Sequence, residues 1–235
     1  MAEGVYPNGL PHPPHSLRVR VAAELAILAV LTALFLYWAP RNTVLYVGMA
    51  LIGFALIGFN AKETRDRIWG PPASPEFDRV RRCAVNMLIL TVPPVIVFLI
   101  FGLVARHYKL WWLADEASPM FSLHFFIAVA LYLPWAMLQQ TLFQFYLLGR
   151  LRVLLPFAPP LMLSVINGFA YGLVHLPEIP VTAVTIIGGI FWSYSYHTDR
   201  YVVPIAVSHA VLGSTFYYWV YGRDLIAELV GKFAH

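Results

Sequence analysis

Residues 87–104 read MLILTVPPVIVFLIFGLV, eighteen positions without a charge. At about 1.5 Å per residue a helix of that length spans about 27 Å, close to the roughly 30 Å hydrocarbon layer of a bilayer. Residues 22–38, with one acid at Glu24, and 121–138 are runs of the same kind. In hydrocarbon each backbone polar group must be satisfied within its own segment, which selects helices. A β-barrel would instead show short alternating segments, and these runs do not alternate. Composition agrees: 60% of the chain is hydrophobic and 12% charged, against about 25% charged in soluble domains, and mean hydropathy is +0.68. The sequence therefore predicts an all-α, polytopic membrane protein of about seven spans, near 22–38, 43–60, 84–105, 121–149, 160–176, 179–197 and 202–221.

Around these spans the chain divides into a disordered tail (1–17) and three N-terminal helices (18–120). A core (121–221) and a C-terminal tail (222–235) follow. The tail has four prolines, with His12 and His15 read as solvated. Arg18 and Arg20 precede the first apolar run as in a signal peptide, but no small-residue cleavage site follows it, so a retained anchor is expected. The stretch 61–82 reads as a loop carrying Lys62, Arg65, Arg67, Arg79, Arg81 and Arg82, broken at Gly70-Pro71-Pro72. Placing it and the N-terminus in the cytoplasm puts eleven Lys and Arg inside and five outside, the asymmetry expected of an inner-membrane protein. This asymmetry accounts for a pI near 9.2 without nucleic acid as a partner, and membrane lipid is the expected neighbour of the basic stretch. Cys83, the single cysteine, excludes an internal disulfide and a four-cysteine zinc site.

Polar side chains inside spans are expensive, so function is sought there. Three groups stand out. Gln139, Gln140 and Gln144 lie in the fourth span, the last two four residues apart on one helix face. His175 ends the fifth span, which Pro177 closes. His209 lies within the last span. One such residue is more often a hydrogen-bonding contact between helices, worth roughly 0.5–2 kcal/mol, than a catalyst. Two histidines accompanied by glutamines suggest a polar pocket.

In order and spacing these segments resemble the CAAX protease and bacteriocin-processing family (CPBP, or Abi) of intramembrane endopeptidases. That family carries Glu-Glu-x-x-x-Arg, then Phe-x-x-x-His, then His-x-x-x-Asn. The family's glutamates fall on Gln139 and Gln140 and its arginine on Gln144, within QQTLFQFYLLGR (139–150). The histidine of its second motif falls on His175, with Tyr171 in place of phenylalanine, and that of its third on His209, with Gly213 in place of asparagine. The resemblance covers roughly 121–220. It implies a site within the membrane that cleaves peptides near their C-terminus: the glutamates activate a water, one histidine positions it, and the other histidine with the asparagine supports the oxyanion. Many members are described as metalloproteases.

The substitutions change what such a site can do. A carboxylate whose pKa burial has raised accepts a proton near neutral pH, and a glutamine amide does not. Glycine at 213 removes an oxyanion donor, a contact that elsewhere is worth about 10²–10³ in rate. Two histidines without a carboxylate are a thin zinc site, so no cofactor is expected and a divalent metal such as zinc is weakly supported. A neutral residue at 144 matches neutral residues at 139 and 140, since an arginine there would have no counter-charge. The expectation is thus a catalytically impaired CPBP-like protein, a pseudoenzyme that binds a membrane peptide or partner subunit. The alternative is an active CPBP-type endopeptidase that cleaves peptides near their C-terminus using His175 and His209 with a non-standard acid or a metal, Glu178 being the better candidate acid and Asp199 the other.

Overall fold

A computed structural model of the chain describes residues 14–38, 43–71, 75–110 and 119–224. Nearly all of both expected tails lies outside those residues, and His15 is already the first residue of α1. Among the described residues there is no strand. The helices form seven runs: α1 (His15–Trp38); α2 (Thr43–Glu63) with a π-helical turn Thr64–Trp69; α3 (Glu76–Tyr108); α4 (Leu123–Gln140) leading through a π-helical stretch Thr141–Leu147 into α5 (Leu148–Leu154); α6 (Pro160–Leu173); α7 (Ile179–Asp199); and α8 (Val202–Thr215) with a π-helical end Phe216–Tyr221. Three runs, Glu76–Tyr108, Leu123–Leu154 and Ile179–Asp199, are each long and apolar enough to cross a membrane, while Pro160–Leu173 is apolar but shorter.

Two boundaries differ from those expected. Most of the stretch 61–82 is helical, not a loop: Thr64–Trp69 winds on from α2, and α3 starts at Glu76. The break is confined to the neighbourhood of Gly70, whose φ of 66° suits a residue without Cβ. The fifth helix stops at Leu173 rather than at Pro177, because the chain turns there, with His175 N–H bonded to Gly172 O at 2.9 Å. His175 therefore sits in a turn, not in a span.

The chain forms two compact units with interleaved segments. The first unit is Met1–Pro75 with Thr141–Arg200. Its α6 and α7 approach closely because they face each other with small residues, as membrane helices do. A Cβ on Gly172 would lie 2.2 Å from Ile186 Cγ1 and 2.8 Å from Thr182 O, and one on Gly168 would lie 2.7 Å from the Ile190 nitrogen. Gly172→Val therefore has to part the helices. Its expected cost is about 3 kcal/mol, read as a lower unfolding midpoint in detergent, whereas Gly58→Ala, where the added Cβ meets nothing within 4 Å, should be silent. Elsewhere in the unit, Arg200 at the end of α7 donates to the carbonyls of Gly70 and Pro71 at 3.1 and 3.2 Å. Trp69 Nε1 donates to Phe145 O at 2.9 Å.

The second unit is Glu76–Gln140 with Tyr201–His235. Ala128, Tyr132 and Ala136 of α4 and Ala206 and Ala210 of α8 form its core with Phe125, Tyr218 and Trp219. Thr91 donates to Ser208 Oγ at 2.7 Å, joining α3 to α8. Arg106 donates to the carbonyls of Trp219 and Tyr218 at 2.6 and 2.8 Å, satisfying groups at the π-helical end that have no helical partner.

Candidate functional site

In the second unit, His209 is buried on α8 and its Nε2 lies 3.2 Å from the Tyr132 hydroxyl. The same hydroxyl donates to Gln139 Oε1 at 3.5 Å. Gly213, one turn after His209, faces the Tyr132 ring: a Cβ there would lie 3.0 Å from Tyr132 Cε1. Gln140 is fully buried at the end of α4. The structure thus brings Gln139, His209 and Gly213 together around Tyr132, a residue the sequence did not single out.

In the first unit, Gln144 is fully buried in the π-helical stretch. Its Oε1 accepts from Asn167 Nδ2 at 3.1 Å, and that amide also donates to Ser193 Oγ at 2.8 Å. Ser193 in turn donates to Gly189 O at 2.6 Å. All three side chains are inaccessible to solvent and none carries a charge. Tyr171, at the aromatic motif position, is buried, stacks on Phe143 at 4.3 Å, and lies 6.2 Å from the His175 ring. The π-helical stretch beneath these residues is itself notable, since such turns occur frequently at functional sites.

All of the motif positions fall within residues 118–215, the part of the chain that matches the family model described as Type II CAAX prenyl endopeptidase Rce1-like. This segment, less than half of the chain, is similar to the Rce1-like family. No curated protein and no solved structure matches the chain. Together with three helices long and apolar enough to cross a membrane, this similarity makes the chain an integral membrane protein. Zinc takes three or four nitrogen, sulfur or carboxylate donors. Among the described residues no group of three His, Cys, Asp or Glu side chains lies together to supply them.

Sequence reading also missed a charged ring in the first unit. Arg150, fully buried, donates through Nε to Glu24 Oε2 at 2.8 Å and through Nη1 to Thr64 Oγ1 at 3.1 Å, over the face of Tyr146. Tyr146 donates to the same Glu24 oxygen at 3.0 Å. Arg20 closes the ring by pairing with Glu24 at 3.5 Å and with both oxygens of Glu63, which also lies 3.9 Å from Arg150. The signal was a lone acid, Glu24, in the first apolar run and an arginine directly after the fourth span, each costly in a membrane without the other.

Glu63 lies past the 43–60 span, and the hydrogen bonds from Arg20 hold its carboxyl below the usual value of 4.5. A carboxyl depressed in the folded state contributes stability that is present above the unfolded value and lost as pH falls through the folded one. The contribution of Glu63 to thermal stability in detergent should accordingly be complete above about pH 5.5 and fall away below about pH 4.5. In Glu63→Gln the part of this decline owed to Glu63 should vanish.

Proposed function

We propose that this protein is a catalytically impaired relative of the CPBP endopeptidases that uses the retained fold to bind a membrane peptide or a partner subunit. The observation carrying this reading is the Gln144–Asn167–Ser193 network. The substituted motif residue is a member of a neutral, hydrogen-bonded chain, in which Asn167 Oδ1 is the one atom left without a hydrogen-bond partner among the described residues. The amides at Gln139 and Gln140 support the same reading, since neither can act as the base that activates water. The reading places the protein in a bacterial inner membrane, with the N-terminus and the basic stretch 61–82 on the cytoplasmic side.

The unmodified chain reconstituted in lipid vesicles is expected to leave hydrophobic membrane peptides intact, and to co-purify from native membranes with an uncleaved chain. Robust cleavage by the unmodified protein would refute the proposal. If the scaffold is dormant rather than dismantled, Gln139→Glu with Gln140→Glu should raise cleavage above background.

One observation favours a second reading, an active endopeptidase with a different acid. Glu178, on the turn after His175, has a buried Oε2 without a hydrogen-bond partner among the described residues. That reading requires Glu178→Gln and His175→Ala each to abolish processing by a folded protein.

A further inference from the structure

Five hydroxyls on the helices satisfy themselves locally: Thr64, Ser164, Ser193, Thr198 and Thr215 each donate to the carbonyl four residues earlier, at 2.6–3.2 Å. Thr182, in the first turn of α7, does not. It is 7% exposed, and its Oγ1 is buried without a hydrogen-bond partner among the described residues. The carbonyl it would use, Glu178 O, is in place and accepts from Thr182 N at 2.8 Å. Glu178 departs from habit in the same turn. It is the N-cap of α7, where an acidic side chain ordinarily accepts from the first free N–H groups. Yet its side chain makes no such bond, and its Oε2 is buried without a partner. No Lys or Arg pairs with it among the described residues. The two oxygens come from residues four apart, on one side of a helix, and they are not bonded to each other. Close by, α6 ends at Leu173, one residue after the point where a Cβ on Gly172 would lie 2.8 Å from Thr182 O. A helix C-terminus presents carbonyls without helical partners and the negative end of the helix dipole.

We propose that Glu178 Oε2 and Thr182 Oγ1 hold a monovalent alkali cation in the turn between α6 and α7, with main-chain carbonyls of that turn as its remaining donors. A donor set made only of oxygen suits a hard cation and offers nothing to a soft metal. One carboxylate against one positive charge leaves the turn neutral, whereas a divalent ion would leave an unmatched charge beside a membrane. Because both oxygens are closed to solvent, the ligand is a small ion rather than the ammonium group of another chain. The N-terminus of α7 favours a carboxylate at Glu178 but supplies no donor to Oε2. This site does not depend on whether the chain cleaves peptides, and it gives Glu178 a structural role distinct from that of an acid in proteolysis.

The test uses the full chain in a non-ionic detergent. Sodium or potassium chloride replaces N-methylglucamine chloride at a constant total of about 0.2 M, so that screening does not change. The unfolding midpoint of the wild type should rise saturably, by about 3–6 °C, as the alkali ion replaces the bulky one. Glu178→Gln keeps the shape of the side chain and should abolish the response. Thr182→Val removes the hydroxyl at nearly constant volume and should need about tenfold more sodium for the same shift. Thr182→Ser should respond like the wild type. A wild-type midpoint that is the same in all three salts overturns the proposal and leaves a bridging water as the partner of both oxygens. A full response in Glu178→Gln overturns it as well, since the ion would then bind elsewhere. If Glu178→Gln does not fold, the Thr182 variants decide, and equal sodium dependence in Thr182→Val and Thr182→Ser excludes the site. A rise in calcium chloride but in neither alkali salt overturns the choice of a monovalent ion.

Discussion

Arg150→Met should destabilise this protein by about 3–5 kcal/mol, read as the unfolding free energy or the shift in midpoint of the detergent-solubilised chain. Arg150 has no solvent exposure and is bonded to Glu24 and Thr64. Once it is gone, Glu24 keeps the Tyr146 hydroxyl and an arginine at 3.5 Å, too little to offset the desolvation of a carboxylate in that setting. The cost should therefore come chiefly from the stranded acid rather than from the lost attraction. That argument is checked by the double variant Arg150→Met with Glu24→Gln, which removes the stranded charge and should recover most of the loss. A single-variant cost below about 1 kcal/mol would mean that water reaches the ring and screens it, as for a surface pair.

Helices were legible because hydrocarbon thickness converts directly into run length, and 87–104 needs no tertiary information to be read. Ends were less legible. The charge of the stretch 61–82 predicts a loop, yet charge is compatible with helix when a turn carries its own counter-ions, as Arg65 and Asp66 do at 2.8 Å. The start of α3 was in fact signalled by Glu76 and Asp78, acids in a first turn where they complement the helix dipole. Pro177 misled in the other direction: it marks where a helix cannot continue, but α6 had already ended four residues earlier.

For the site, the sequence pointed to the polar residues whose cost in a membrane is evident one at a time, namely the three glutamines and two histidines. What it hid were the partners. Asn167 is in the 160–176 span and carries the same cost, but its meaning depends on Ser193, 26 positions on. Gly168 and Gly172 form a small-x-x-x-small pattern that was available to reading and explains why α7 sits so close. Tyr132 was invisible for a different reason: an aromatic residue in a span is ordinary, and only its hydroxyl, placed by the fold between His209 and Gln139, makes it chemical.

Gln144→Arg, which restores the family residue at that position, should be the most damaging of the motif reversions when made alone. The site is inaccessible to solvent, and the acceptor side of Gln144 already faces the donor of Asn167. An arginine brings five donors and a charge to a place where Asn167 Nδ2 is itself donating and Asn167 Oδ1, an acceptor without a partner among the described residues, carries no counter-charge. Unpaired, that charge costs about 3–5 kcal/mol, enough to cut the folded fraction sharply in a marginally stable chain. Gln144→Leu is the informative comparison, because it removes the hydrogen bond from Asn167 without adding charge and leaves Asn167 its bond to Ser193. Its expected cost is about 1–3 kcal/mol. Size-exclusion recovery in detergent and the unfolding midpoint should rank wild type above Gln144→Leu, and Gln144→Leu above Gln144→Arg. If arginine is tolerated as well as leucine, an anion must be within reach of position 144. The neutral network would then no longer argue against proteolysis, and an acid-dependent endopeptidase would become the better account of this chain.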